Sequence, residues 1–152
     1  MLTEITLWAT VLIFTIHLSG HIFDRIAIIP NWNSGTIDDM MRNKAFFQKG
    51  QIRTFFGLVI LACFVSSLMG MILLWGNQRG SQYAIAAFVL STATNVWTIV
   101  YFVPMNKYFE AQDYEVDTLR RTVKKWVTAN HLRFLLLTIA LGFSIAALEY
   151  YR

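Results

Sequence analysis

The sequence predicts an all-α protein: a single domain over residues 1–152, built as an integral membrane bundle of four helices. Its composition is the first reason, because 56% of the residues are apolar and only 14% are charged, against about a quarter charged in ordinary globular proteins. The charges are also clustered, and they leave neutral stretches of 19, 25 and 27 residues and a further 15 after Arg133. A helix that crosses a bilayer needs about 20 mostly apolar residues. Transmembrane strands would instead alternate in polarity over about 10 residues, and no stretch does so.

Four spans are expected, over residues 2–29, 52–75, 82–103 and 126–150. Span 1 ends at Pro30 and span 3 at Pro104, because proline lacks the N–H that a helix interior needs. Spans 2 and 3 are joined by a short polar turn at 76–80, which makes them antiparallel neighbours. The two longer connections, 30–51 and 104–125, are expected to be cytoplasmic loops. Within them, 36–47 fits a short interfacial helix, and 113–125 fits a charged helical extension of span 4.

Basic residues predict the orientation of the bundle. Nine of them lie in or beside the two long connections: Arg42, Lys44, Lys49, Arg53, Lys107, Arg120, Arg121, Lys124 and Lys125. Only Arg79 and Arg152 lie at the opposite end. Because cytoplasmic loops are enriched in Lys and Arg, both termini are expected on the non-cytoplasmic side. The expected location is a bacterial inner membrane or an equivalent one. We call the end with the nine basic residues the basic end.

The same residues bear on the partners that the chain can have. Because these basic residues flank apolar segments, we attribute the net charge of +4 to the orientation of the chain in the membrane. No nucleic-acid partner is therefore expected. Span 1 has neither the basic n-region nor the cleavage site of a signal peptide, and it is expected to remain in the mature protein. The expected partners are the lipid bilayer and a lipophilic small molecule. A homo-oligomer stays open, since the one Gly-x-x-x-Gly pattern, Gly76 to Gly80, lies in a turn and supplies no dimer motif.

Unusual polar residues gather in the half of the bundle nearest the basic end. They are His17, His21 and Asp24 on span 1, Asn106 after span 3, and Trp126, Asn130, His131 and Arg133 on span 4. Trp126, Asn130 and Arg133 share one helix face, at i, i+4 and i+7. At 1.5 Å per residue, Arg133 lies about 12 Å along the helix from Lys125. A charge at that depth costs about 2.5–3.5 kcal/mol unless it is paired or hydrated, so such residues are functional candidates. We expect Asp24 to be the buried partner of Arg133.

The three histidines leave two interpretations open. His17 and His21, at i and i+4, can share a metal ion, and His131 offers a third ligand from span 4. A His-ligated metal or a haem is one interpretation, and histidines that only hydrogen-bond to neighbouring helices are the other. The single cysteine, Cys63, is interpreted as a small packing residue, and Thr98 on span 3 as a helix-packing residue.

Two short motifs resemble a known family. They are Val103-Pro104-Met105-Asn106-Lys107 at the end of span 3 and Trp126-x3-Asn130-x2-Arg133 at the start of span 4. Their order, spacing and position at helix ends are similar to those of the anthrone oxygenase-like family of small four-helix membrane proteins, most of which have no assigned function. Its characterised members oxidise anthrones to anthraquinones with oxygen. The resemblance implies an oxidoreductase or oxygenase that acts on a lipophilic aromatic or quinone-like substrate.

The implied site is a polar pocket in the basic half of the bundle, with apolar walls and a few oriented polar groups. His21 or His131 is expected to take a phenolic or benzylic proton, Asn130 and Arg133 to stabilise the resulting oxyanion, and Asp24 to complete the catalytic set. The candidate cofactor-binding residues are His17, Asn106 and Trp126, and the candidate metal ligands are His17, His21 and His131. Cofactor-free oxygen chemistry is equally open.

Two other functions fit the same residues. A non-catalytic binding or assembly subunit, with or without haem or a metal, would use the polar residues only to fix helix packing. A small proton-coupled transporter would use Asp24 as its proton site. Substrate identity, the cofactor and the oligomeric state do not follow from the residues alone.

Overall fold

The computed structural model describes residues 1–30, 52–77, 79–110 and 116–151. Regular structure in these ranges is helical throughout, and none of it is a strand. Its elements are α1 (Leu2–Phe23), a π-helical turn π1 (Asp24–Ile28), α2 (Ile52–Leu73), α3 (Gly80–Trp97), a second π-helical turn π2 (Thr98–Phe102), α4 (Val103–Glu110) and α5 (Val116–Tyr151). The predicted interfacial helix at 36–47, and the rest of that connection, lie outside the described residues.

Four of the helical stretches are long and apolar enough to cross a membrane: Leu2–Ile28, Thr54–Leu73, Gly80–Phe109 and Asp117–Tyr151. They are spans 1 to 4, and they confirm the predicted fold class. Each span packs on two others, so that the bundle closes as a ring in chain order. Large apolar side chains are exposed on its outside, among them Ile26, Leu58 and Val100. Such a surface suits lipid and not water, and the chain is accordingly a multi-pass membrane protein.

The turn between spans 2 and 3 is closed by two of its own residues. Gly76 has a φ of 94°, a backbone conformation that glycine adopts without steric cost. The Asn77 side-chain oxygen accepts a hydrogen bond from the Gly80 N–H at 3.0 Å. It thereby satisfies one of the N–H groups that a helix start leaves free. A turn this short holds spans 2 and 3 antiparallel, as predicted.

Helix α5, which contains span 4, begins at Val116, ten residues before the predicted 126, because its charged extension has an apolar stripe of its own. Leu119 and Val123 are buried and join Trp126 and Val127 in one cluster, which also contains Phe102. The spacing is that of one helix face, and the charged residues Arg120 and Lys124 are exposed. The described part of the expected loop at 104–125 is therefore helical, since α4 also continues past Pro104.

Each of the two prolines of the chain follows a π-helical turn at the same distance. Pro30 lies six positions after Asp24, and Pro104 lies six positions after Thr98. In both places the residue before the proline donates its N–H five residues back, Ile29 to Asp24 and Val103 to Thr98. A proline has no N–H for the carbonyl four residues earlier, and its ring crowds that carbonyl. The widened turn accommodates this, and π-helical turns of this kind are frequent at functional sites.

The core consists of separate layers along the bundle axis. A layer of Phe14, Cys63, Leu137 and Ala140, none more than 1% exposed, crosses the middle. We call it the apolar layer. Beyond it, in the half opposite the basic end, lies a cavity of about 10 Å³ between small side chains such as Ala84, Ala87 and Ala147. Near the basic end the interior is polar instead.

Candidate active site

Two histidines on successive turns of span 1 face the interior of the bundle. His17 is 3% exposed and His21 is fully buried. Their ring centroids lie 5.0 Å apart, with the planes tilted by 37°. The pair results from the i, i+4 spacing, which places both rings on the same side of α1. We call them the histidine pair.

Span 2 covers the histidine pair with an aromatic ring. The ring of Phe56 lies 6.2 Å from that of His17 and 5.6 Å from that of His21. Gly20 makes room for it, since a Cβ atom on that residue would stand 3.1 Å from the Phe56 ring. Phe56 therefore fills a notch in span 1 directly over the pair. No polar signal marks it in the sequence, although its position seven residues before Cys63 places both on one face of span 2.

Cys63 contributes to packing and also touches the site. Its side chain is fully buried in the apolar layer, as expected of a packing cysteine. Its Sγ also lies 3.6 Å from Nδ1 of His17. Ser67 completes the turn by donating a hydrogen bond to the Cys63 carbonyl oxygen at 2.6 Å. The thiol thus marks the inner limit of the polar site.

Arg133 is 8% exposed and is held by residues of spans 3 and 4. Its Nη2 donates to Oδ1 of Asn130 at 2.7 Å, and its Nη1 donates to Oγ1 of Thr98 at 3.4 Å. The guanidinium also lies over the ring of Phe102, 3.9 Å from the centroid. Thr98 and Phe102 begin and end π2, so the widened turn presents both to the same guanidinium. The sequence interpretation of Thr98 as a helix-packing residue missed this contact.

The expected ion pair between Asp24 and Arg133 does not form as a direct contact. The closest partner recorded for the Asp24 carboxylate is His21, whose Nδ1 lies 3.9 Å from Oδ2. No nitrogen of Arg133 comes within 4.0 Å of it, because Asn130, Thr98 and Phe102 already hold the guanidinium. The prediction of a direct pair was wrong. The two charges still interact through space, and that of Arg133 also reaches His17 and His21.

Several buried polar atoms of the site have no hydrogen-bond partner among the residues that the structure describes. They are both ring nitrogens of His21, the side-chain nitrogen of Asn130 and Nε of Arg133. Buried polar groups in native proteins are nearly always bonded, and each one left unbonded costs about 1–3 kcal/mol. His21 on span 1 and Asn130 and Arg133 on span 4 are each destabilised in this way, and all three lie in the half of the bundle near the basic end. Unsatisfied donors and acceptors grouped in this way are typical of a place that a polar ligand completes.

Asn106 and Trp126, the other candidate cofactor-binding residues, contact each other. Trp126 Nε1 donates to Oδ1 of Asn106 at 3.2 Å, which explains how the two family-like motifs meet across spans 3 and 4. The Trp126 ring also packs edge-on against Phe102 at 5.8 Å. Phe102 in turn carries the guanidinium of Arg133 over its ring. The structure thus places Asn106 and Trp126 beside the site, in contact with each other and, through Trp126, with Phe102.

His131 lies away from the histidine pair. It is exposed, and its Nδ1 accepts a hydrogen bond from Nη2 of Arg25 at 2.7 Å. Its position one residue after the buried Asn130 turns it about 100° out of the bundle. The structure therefore does not bring His131 together with His17 and His21 as metal ligands. Within the described ranges no three His, Cys, Asp or Glu side chains are arranged to hold a metal ion, so His17, His21 and His131 do not form a three-ligand site.

Comparison with known proteins identifies the family. The sequence model of the family described as Anthrone oxygenase matches residues 44–143. This stretch includes spans 2 and 3 and most of span 4, with Asn106, Trp126, Asn130 and Arg133, whereas the histidine pair precedes it. Neither the curated proteins nor the solved structures give a significant match. Because the match covers more than half of the chain, and spans 3 and 4 meet at the motifs that resemble the family, the chain belongs to the anthrone oxygenase family.

Proposed function

We propose that the chain is a membrane oxygenase that oxidises a lipophilic aromatic substrate of the anthrone type at the site between the histidine pair and Arg133. The observation that carries the proposal is the group of unbonded buried polar atoms on His21, Asn130 and Arg133. Span 1 contributes the two unbonded ring nitrogens of His21, and span 4 contributes two unbonded nitrogen donors. A substrate with an acidic proton beside an oxygen atom is complementary to that arrangement.

His21 is the proposed base. Both of its ring nitrogens are unbonded, and Asp24 Oδ2 lies 3.9 Å from Nδ1. A carboxylate on that side favours the tautomer with its proton on Nδ1, which leaves Nε2 to accept the proton of the substrate. Hydrogen bonds of catalytic groups are often long before substrate binds. Asp24 is therefore a positioning residue, which acts through His21.

Asn130 and Arg133 are the proposed donors to the oxyanion that deprotonation creates. The Asn130 side-chain nitrogen and Nε of Arg133 are both free to donate, while the remaining contacts of Arg133 fix its plane. Donors that are already oriented stabilise developing charge without having to reorganise. The deprotonated anthrone is electron-rich, and dioxygen accepts its electrons. One oxygen atom enters the ring carbonyl and the other leaves as water, so the CH₂ group and O₂ balance without an external reductant.

Turnover of a simple anthrone tests this directly. The full chain in nanodiscs is incubated with 1,8-dihydroxyanthrone in air, and anthraquinone formation is followed by absorbance against empty nanodiscs, since anthrones oxidise slowly unaided. We expect acceleration by the wild type, and a fall of about 10²-fold or more for His21→Asn, which removes the base. Arg133→Gln should lower the rate in the same range through the lost oxyanion donor.

Two exposed positions provide matched controls. Thr15→Ala on span 1 and Arg121→Gln on span 4 change residues that face away from the interior, and each should retain wild-type turnover. If the wild type turns the anthrone over no faster than empty nanodiscs but still binds it, the chain has a binding role instead. Equal rates in His21→Asn and wild type would refute the assignment of the base.

A further inference from the structure

We propose that Arg25 and His131 form a binding site for the phosphate of an anionic phospholipid at the basic end of the bundle. The two side chains come from spans 1 and 4 and meet at 2.7 Å between Nη2 and Nδ1. Arginine has no acceptor, so Arg25 donates and His131 accepts in this contact. This fixes the proton of a neutral His131 ring on Nε2. The remaining guanidinium N–H groups and the Nε2–H are then the donors that the pair leaves for a ligand.

The charge of Arg25 has no counter-ion among the described residues. Among the described residues no carboxylate lies within 4.0 Å of its nitrogen atoms, and the neighbouring Asp24 contacts His21 instead. Arg25 Cζ lies 4.4 Å from the ring centroid of Phe134, which orients the guanidinium without neutralising it. Arg25 thus has an apolar ring on one side and exposed Phe23 and Ile26 nearby along its own helix, a setting in which an anion from the surroundings can neutralise it.

The depth of the pair matches the level of lipid head groups. Glu4 and Glu149 lie near the opposite ends of spans 1 and 4, 21 residues before Arg25 and 18 residues after His131. At 1.5 Å per residue these separations are about 31 Å and 27 Å. The hydrocarbon core of a bilayer is about 30 Å thick. By this count Arg25 and His131 lie at the boundary where lipid phosphates begin, which favours a lipid over a soluble anion. The same count places Arg133 only two residues inside that boundary, shallower than the distance from Lys125 suggested.

The surrounding surface suits a phospholipid in other ways. Exposed Leu132 and Leu135 continue span 4 toward the hydrocarbon and can pack along acyl chains. In the other direction, exposed Lys124 and Thr128 lie two turns and one turn before His131 on the same side of span 4. Basic positions between helices at the membrane edge are known to hold anionic head groups. The chemistry of the site is thus a phosphate with a net negative charge, carried on two acyl chains.

Lipid titration tests the site without reference to any enzymatic activity. The purified full chain is titrated with dioleoyl-phosphatidylglycerol or dioleoyl-phosphatidylcholine, and bound lipids are counted by native mass spectrometry. We expect the wild type to bind the anionic lipid about tenfold or more tightly than the zwitterionic one, as expected for charge-assisted hydrogen bonds. Arg25→Gln and His131→Leu should each reduce this preference, and Arg25→Gln should abolish it. Arg121→Gln, which removes an exposed arginine elsewhere at the basic end, should retain it.

Two results would overturn the proposal. One is an unchanged preference for phosphatidylglycerol in both site variants. The other is full displacement of the lipid by millimolar inorganic phosphate, which would make a soluble anion the occupant. If Arg25→Gln does not fold, His131→Leu decides alone, since its side chain is exposed and its replacement leaves the interior intact.

Discussion

Arg133 holds the site together at the scale of single residues. Its two hydrogen bonds and its position over Phe102 join span 4 to π2. Its charge reaches His17, His21 and Asp24 on span 1. A guanidinium does this better than an ammonium group, because its planar fork donates in several fixed directions and stacks on a ring. The sequence predicts that Arg133 is functional, since a charge at that depth is costly. It does not predict the partners, because rotamers and helix rotation decide them.

Removing the guanidinium should cost stability through Asn130. Arg133→Gln leaves the buried Asn130 with no recorded partner for either of its side-chain polar atoms, so we expect the free energy of unfolding to fall by about 2–4 kcal/mol. Asn130→Ala alone should cost less, and the double variant should cost less than the sum of the two. Unfolding in mixed micelles measures all three. Strict additivity would show that the two residues do not interact.

At the scale of elements, the two π-helical turns position residues of the site. Each widens a span just before its proline and brings a polar residue, Asp24 or Thr98, to the interior. The sequence predicts both prolines as ends of spans, which is the usual consequence of a missing N–H. Here the helix instead continues past Pro104, because α4 packs Met105 and Tyr108 on the cluster around Trp126. Tertiary packing, which a single sequence does not reveal, outweighs the local preference.

Replacing Pro104 should uncouple π2 from Arg133. In Pro104→Ala the new N–H can donate to the carbonyl four residues back, so the span can resume α-helical spacing and turn Thr98 and Phe102 relative to span 4. We expect Arg133→Gln to cost about 1 kcal/mol less in this background than in the wild type, because fewer contacts of Arg133 remain to be lost. Gly142→Ala, at a position with open space around it, is the matched control. An equal cost of Arg133→Gln in all three backgrounds would contradict the coupling.

The whole molecule places its polar site asymmetrically in the membrane. Four spans are predictable because apolar content is a property of local composition, and a cluster near the basic end is predictable because spacing and topology bring its residues to one level. The outward position of His131 and the cover that Phe56 forms depend on helix rotation, and no pattern in one sequence specifies it. The apolar layer of Phe14, Cys63, Leu137 and Ala140 closes the axis toward the opposite end. This favours entry of a substrate from the bilayer between spans 1 and 2, at the notch of Gly20, over a path along the axis from the end opposite the basic end.

The reactivity of Cys63 can be used to test whether small molecules enter by this route. Cys63 is the one cysteine of the chain, it is fully buried, and its Sγ lies 3.6 Å from Nδ1 of His17. Phe56→Ala removes the ring over the histidine pair, and we expect N-ethylmaleimide, which partitions into bilayers, to label Cys63 about tenfold faster or more. Burial otherwise keeps such a thiol inert. Phe55→Ala is the matched control, since Phe55 is exposed and packs edge-on against Phe56 at 5.3 Å without a recorded contact to the pair. Labelling that rises equally in both variants would indicate general loosening of span 2, and labelling unchanged in Phe56→Ala would place the entry elsewhere.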